Sequence, residues 1–317
     1  MKTELPQKLH EYTNHVVLDS TRWRVYNHRP GDIIISTSYK TGTTWMQTIV
    51  ANLLFQDGAL PGPVTAISPW LDMALPPLED VAKALEAQTH RRFIKSHLAL
   101  DGLPYFETAR YIVVGRDVRD VFMSIWNHHN GYTDETKEMF RKRAASFGTE
   151  CPFFEDIHDM FRSWIALGSF PWETSGFPYW SHLHHAQTWW DYRHLPNILM
   201  VHYTDLLEDP VGQIRRIAKY LNIEIREEML PGILQRISFG GMKENFNTIM
   251  PDADHLWRGG SATFMNKGTN GRWKGVLTEA ELEQCRAAVK RELTPDCAAW
   301  LEHGGEHRLA GTFGQGA

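Results

Sequence analysis

The chain has 317 residues, 42% of them hydrophobic and 22% charged, which is long enough and apolar enough for one large α/β domain with a substantial core. This composition excludes disordered, collagen-like and low-complexity scaffolds. Lysine and arginine number 33 against 38 acidic residues, a net charge of −5, so nucleic acid is not an expected partner and any polyanion must meet local basic residues.

The opening Met1-Lys2-Thr3-Glu4-Leu5-Pro6 lacks the apolar stretch of a signal peptide, and no run approaches the ~18 apolar residues of a membrane span. Three widely spaced cysteines (Cys151, Cys285, Cys297) argue against a disulfide framework and fit a reducing compartment. A cytoplasmic protein without a membrane span is therefore expected. No internal repeat or long linker divides residues 1–317, which read as a single domain. The 12 tryptophans point to an aromatic pocket, although most such residues ordinarily serve the core.

In chain order, Ile33-Ile34-Ile35 reads as a buried strand, and Met46, Ile49, Val50, Leu53 and Leu54 follow at helical spacing. Phe93-Ile94, Tyr111 to Val114 and Ile198 to Val201 read as further strands, with a helix from about Asp117 after the third. Asp209-Pro210 looks like an N-cap with proline in the first turn, continued by Ile214, Ile217, Ala218 and Leu221. Thr278 and Glu281 form a capping-box pattern. Apolar strands alternating with helices predict an α/β fold: a central, mostly parallel sheet flanked by helices, with ligand beyond the strands' carboxyl ends. Pro61 to Pro77 and Phe170 to Trp180, rich in proline, glycine and aromatics, read as covering loops rather than core.

The first strand runs into Ser38-Tyr39-Lys40-Thr41-Gly42-Thr43-Thr44-Trp45 and a helix. Gly42 permits a tight turn and a close backbone approach. Helix N–H groups, the Thr41, Thr43 and Thr44 hydroxyls and the Lys40 charge together describe an oxyanion cradle; the plainer reading is a capped helix with a solvated lysine. The loop is P-loop-like but not the ATP-type motif, because its lysine precedes the lone glycine. Lys95-Ser96-His97 ends the second strand. Alternation puts Lys95 and His97 on one face, where a neutral histidine can deprotonate a hydroxyl and the lysine can offset developing negative charge; a core or surface histidine is the other reading. Arg116, with Ser124 about two helical turns on, can bind a terminal phosphate, or Arg116 can pair with Asp117 or Asp120. Phe264 to Lys274, with two glycines and three cations, is either a phosphate-covering loop or a solvated turn.

These segments, from about Asp32 to Glu283, resemble the soluble, cytosolic type of sulfotransferase that uses 3′-phosphoadenosine 5′-phosphosulfate (PAPS). Lys40 to Trp45 resembles the family's 5′-phosphosulfate loop, with Trp45 on the adenine ring, and Lys95-Ser96-His97 resembles its catalytic segment. Arg116 and Ser124 match its 3′-phosphate strand and helix; Met265-Asn266-Lys267-Gly268 matches its C-terminal 3′-phosphate loop; Tyr203, Ser238, Phe239 and Met242 resemble adenine-side contacts. The resemblance implies sulfuryl transfer to a hydroxyl or amine of a small, aromatic or apolar acceptor. His97 would be general base, Lys40 and Lys95 would offset charge, adenosine 3′,5′-bisphosphate (PAP) would be the product, and no metal would be needed.

The chain departs from the pattern at Tyr39 (usually Pro), Thr41 (usually Ser) and Asn266 (usually Arg), the last loss being one that Arg272 can make good. The dimer signature is met at Lys274, Thr278 and Glu283, with Glu279 in place of its valine, leaving monomer or homodimer open. Trp70 falls at the family's aromatic pocket gate. Phe170, Trp172, Phe177 and Tyr179 either join that pocket or pack their loop down. His182, His184 and His185 read as helix surface or pocket wall, without metal-ligand spacing. The alternatives are a nucleotide-dependent kinase, with Asp117 or Asp205 as magnesium ligands, and a non-catalytic nucleotide-binding module that has lost its base.

Overall fold

Four short apolar runs become four parallel strands. In the computed structural model, which describes residues 4–251 and 253–305, β1 spans Ile33–Thr37, β2 Phe93–Ser96, β3 Arg110–Gly115 and β4 Ile198–His202. The ends of the expected single domain, residues 1–3 and 306–317, lie outside the described residues. The strand order is β2-β1-β3-β4, with Ile34 opposite both Ile94 and Tyr111, and Val113 opposite Met200. The expected mostly parallel sheet is parallel at every pairing.

The two-residue period of a strand sorts its side chains into two layers. Ile34, Ile94, Tyr111, Val113 and Met200 pack beneath Phe161, Trp164, Trp189 and Trp300. Ile33, Ile35, Phe93, Ile112, Val114 and Val201 pack against Met46, Ile49, Val50, Ile214, Ile217 and Ile233 on the opposite side. Both faces are thus covered by helices, which is why β1 could be apolar at successive positions. Asp209 caps the helix Pro210–Tyr220 by accepting from Gly212 N, and Thr278 with Glu281 closes a capping box on the helix Glu279–Glu292.

Chain direction out of β1 goes one way to β2 and, after it, the other way to β3. The crevice between the carboxyl ends of β1 and β3 is therefore a topological switch point. The loop from Ser38 and the residue Arg116 leave the sheet on its two sides.

The two segments expected to be covering loops are more deeply built in. Phe170, Tyr179 and Trp180 are buried in the first layer, because so much ring area cannot stay at the surface without exposing it. Trp172 stacks on His10 at 4.2 Å and on Phe170 at 5.4 Å, pinning the N-terminal segment. Within Pro61 to Pro77, Val64–Ile67 is helical and Leu71 and Asp72 are completely buried. Cys151, Cys285 and Cys297 are all unpaired and buried. Among the described residues, no helix is long and apolar enough to cross a membrane.

Candidate active site

The loop after β1 is locally strained. Lys40 has φ +66° and Gly42 φ +114°. A Cβ on Gly42 would lie 2.9 Å from the Tyr203 ring, so conformation and space both demand glycine there. Hydroxyls lock the turn internally: Thr37 Oγ1 lies 2.5 Å from Thr43 Oγ1, and Thr41 Oγ1 donates to Ser38 O at 3.1 Å. The Thr41 side chain thus braces the loop and does not line the cavity, whereas Lys40, Gly42, Thr43, Thr44 and Trp45 do.

Two of the clustered histidines brace this loop and the strand before it, in the buried interior rather than on a helix surface. They lie on the helix His182–Trp190. His182 Nε2 donates to Arg116 O at 2.9 Å, which leaves Nδ1 to accept from Ser38 Oγ. Burial lowers its pKa to about 4, so it stays neutral. His185 Nε2 meets Ser36 Oγ at 3.0 Å, and that hydroxyl donates onward to Leu98 O.

His97 follows β2 directly and lines the cavity although only 2% exposed. Its Nδ1 donates to Thr37 O at 2.7 Å, so the Nε2 lone pair is the basic one. Burial, then the nearby Lys95, His185 and Lys40 charges, hold its pKa well below the usual imidazole range, against the opposing pull of the Thr37 carbonyl. Trp70 stands edge-on at 4.6 Å from the His97 ring, and Lys95 Nζ lies 4.1 Å above Trp70. Asp72, fully buried, holds this group together. Its carboxylate accepts from His97 N at 3.0 Å, Trp70 Nε1 at 2.8 Å and Trp23 Nε1 at 3.2 Å.

The cations cluster. Burial lowers the Lys40 pKa to about 7, helped by the Lys95, Arg116 and Arg272 charges. Burial likewise lowers Lys95 to about 8, against the attraction of Asp72. Arg116, 4% exposed, donates to Asn270 Oδ1 at 3.0 Å and to Lys40 O at 3.3 Å, with its guanidinium 4.0 Å from the Tyr203 ring. Asp117, weighed as its partner, instead caps the helix Val118–Gly131 and pairs with Arg119.

The C-terminal loop closes over the same crevice. Gly268, at φ +65°, lets the chain pass where a Cβ would strike the Phe239 ring at 2.6 Å. Tyr203 Oη donates to Gly268 O at 3.4 Å, and the Trp45 ring meets Tyr203 at 5.3 Å, so the expected adenine and phosphate contacts gather in one place. Ser124, Phe239, Met242, Met265, Asn266 and Lys267 join the wall. Ser238 does not: it caps the helix Phe239–Glu244, donating to Gln235 O and accepting from Gly241 N.

Together these elements enclose a cavity of about 590 Å³. Among the described residues its wall carries five cations (Lys40, Lys95, Arg116, Lys267, Arg272) and no carboxylate. The Arg272 Nε is buried without a hydrogen-bond partner, a donor left over in a protein whose net charge is −5. That wall fits a polyanionic nucleotide. Asp205, the other magnesium-ligand possibility, is occupied elsewhere, accepting from Gly305 N at 2.9 Å.

The same wall carries apolar residues: Val17, Trp70, Met73, Leu75, Tyr132, Phe140, Trp257 and Phe264. Trp70 is among the lining residues, beside His97. Phe170, Trp172, Phe177 and Tyr179 are absent from this wall; Phe170 and Trp172 are spent on holding down the N-terminal segment. Of the rings that do line it, Phe140 and Phe264 come from helices and Tyr132 and Trp257 from an antiparallel bridge, all on segments remote from Trp70 in sequence. Sequence reasoning also missed Asp72 and His128. His128 follows Ser124 by four residues on one helix, so the same-face spacing was a usable signal.

Residues 30–296 match the sulfotransferase domain family. The chain belongs to that family. Two glycolipid sulfotransferases are similar over nearly their full length: that of Mycobacterium bovis at 32% identity (96% of this chain, 98% of the relative) and that of Mycobacterium tuberculosis at 33% (96% and 98%). Rat sulfotransferase 1A1 is 31% identical over 84% of this chain and 86% of its own. Among solved structures, retinol dehydratase in complex with androsterone and the inactive cofactor PAP superposes with TM-score 0.66 at 23% identity, covering 85% of this chain and 82% of that one. A mouse sulfotransferase complexed with PAP gives 0.68 at 16% identity, covering 93% and 98%. These likenesses bear out the α/β sulfotransferase fold expected from the motifs. In this sulfotransferase the phosphate-type loop, the Lys-Ser-His segment and the C-terminal loop surround one cavity.

Proposed function

We propose that the protein transfers a sulfuryl group from PAPS to a hydroxyl or amine of an apolar or aromatic acceptor, with His97 as general base. The observation that carries this reading is the lining of one cavity, which combines five cations and no carboxylate among the described residues with aromatic and aliphatic side chains, and has His97 among them. PAPS supplies the activated sulfuryl group. Lys40, Thr43, Thr44 and the start of the helix Thr43–Leu54 hold its phosphosulfate end. Arg116, Ser124, Asn266, Lys267 and Gly268 hold the 3′-phosphate, with Arg272 supplying the charge that Asn266 lacks. Trp45, Tyr203, Phe239 and Met242 flank the base.

His97 Nε2 takes the proton of the attacking group, while Lys40 and Lys95 place positive charge where negative charge gathers on the transferred and leaving oxygens. Burial keeps His97 neutral and therefore competent as a base at neutral pH. The acceptor body lies against Trp70, Tyr132, Phe140, Trp257 and Phe264. The name glycolipid sulfotransferase on the mycobacterial relatives adds sugar hydroxyls on an apolar anchor to the acceptors worth testing.

The test is transfer of labelled sulfate from PAPS across a panel of phenols, sterols, aryl amines and glycolipids. Transfer to a member of the panel supports the reading. PAP binding without transfer to any of them would favour the non-catalytic module. Phosphoryl transfer from ATP and magnesium, with none from PAPS, would favour the kinase.

A further inference from the structure

We propose that His128 is a positioning residue that holds the Lys40 side chain in place for sulfuryl transfer. The inference rests on the donor-side role given to Lys40 above. His128, 3% exposed, projects from the helix Val118–Gly131 into the cavity wall. Its Nδ1 lies 3.2 Å from Lys40 Nζ. An ammonium can only donate, so Nδ1 accepts and the ring proton sits on Nε2. That side is occupied as well: Nε2 meets Tyr132 Oη at 3.0 Å and the Tyr39 hydroxyl, and the two phenols meet each other at 2.9 Å. Both ring nitrogens therefore have partners: the ammonium sets the tautomer, and the phenol oxygens, which can accept as well as donate, accommodate it.

Among the described residues, the rest of the Lys40 environment offers charge or ring faces rather than a second side-chain acceptor within hydrogen-bond distance. Phe264 lies under Nζ at 4.3 Å, and Lys95, Arg116 and Arg272 all repel it. Lys40 also starts from a left-handed backbone, where the strained loop does not by itself fix a long side chain. His128 supplies the one neutral acceptor described for that ammonium, and its own ring is packed by Tyr39, Tyr132 and Trp257 at 5.1, 5.1 and 4.8 Å. Tyr39 stands where the resemblance would put proline, so part of this support is specific to this chain. The titratable and charged groups facing His128 are Lys40, His129, Lys95, His97, Tyr39 and Tyr132.

The experiment compares His128→Phe, which keeps a ring but accepts nothing, with His128→Asn, whose amide oxygen reaches the place of Nδ1. Three quantities are read on the full chain: kcat and KM for PAPS, PAP affinity by calorimetry, and the titration of Lys40 by NMR with ¹³C-labelled lysine and no nucleotide. His128→Phe is expected to lower kcat by about 10- to 100-fold with PAP affinity within about threefold, since a misplaced group costs rate more than binding. The Lys40 signal is expected to titrate at lower pH, because an acceptor that stabilises the ammonium is gone. His128→Asn is expected to restore most of both.

Wild-type kcat and an unmoved Lys40 titration in folded His128→Phe would overturn the inference. So would a His128→Asn protein, folded by melting temperature, that recovers neither quantity. If His128→Phe does not fold, the Asn variant compared with wild type and with Tyr39→Phe decides the same question. Lys40→Ala separates the two levels: full activity there defeats the reading of the site itself, whereas a crippled Lys40→Ala beside a fully active His128→Phe defeats only this inference.

Discussion

His97 Nδ1 lies 2.7 Å from the carbonyl oxygen of Thr37, the last residue of the neighbouring strand. A backbone carbonyl can only accept, so this contact fixes the proton on Nδ1 and turns the Nε2 lone pair into the basic site. His97→Ala is therefore expected to lower kcat by at least about 10²-fold while PAP affinity stays within a few fold. Steady-state kinetics and calorimetry on the same preparation check this; near-normal turnover would remove His97 from the role.

The depressed basicity of His97 has a pH signature. The proposed base acts in its neutral form, and burial holds the His97 pKa well below 6.5. The acid limb of kcat/KM is accordingly expected well below pH 6.5, with no fall in rate as pH passes through that value. A profile that loses activity with a midpoint near 6.5 would contradict it.

The two buried lysines act in the opposite direction. Lys40 and Lys95, lowered to about 7 and about 8, lose their charge as pH rises through that window in the free protein. An anion binds their protonated forms, so PAP affinity is expected to weaken from pH 7 to pH 9 and to release less heat of protonation at the lower end. Calorimetry in two buffers of different ionisation enthalpy measures this, and an affinity flat across the range would refute it.

Arg116 donates to Asn270 and packs against Tyr203 beside the loop assigned to the 3′-phosphate. Arg116→Ala is expected to weaken PAPS binding by about 10- to 100-fold, as loss of hydrogen bonds to a charged group would. Adenosine 5′-phosphosulfate, which lacks that phosphate, should be weakened much less. Equal weakening of the two would reassign the arginine.

Asp72 accepts from three donors, His97 N, Trp70 Nε1 and Trp23 Nε1, inside a fully buried site. Asp72→Ala leaves all three without that acceptor, and a loss of roughly 3 kcal/mol or more in unfolding free energy is expected. Urea denaturation gives the number. A loss under 1 kcal/mol would mean that the neighbours re-pair.

The sequence by itself determined the strands, the cradle and the order of the motifs. An apolar run such as Ile33–Ile35, a glycine such as Gly42 and a cap such as Thr278 with Glu281 are local signals, because backbone geometry and burial act on neighbours a few residues apart. The same locality placed Lys40, His97 and Arg116 beyond the strands' carboxyl ends, whereas Lys95 is still within β2, next to its last residue. Tertiary structure decided what those residues meet. Phe170 and Tyr179 looked like pocket rings but are core. Asp72 and Trp257 gave no functional signal, yet Asp72 braces the site and Trp257 lines the cavity. Thr41 and Ser238 carry hydroxyls of the right kind but spend them on the backbone. Which partner a side chain meets depends on packing between segments as far apart as Lys40 and Phe264, and no spacing rule along the chain encodes that.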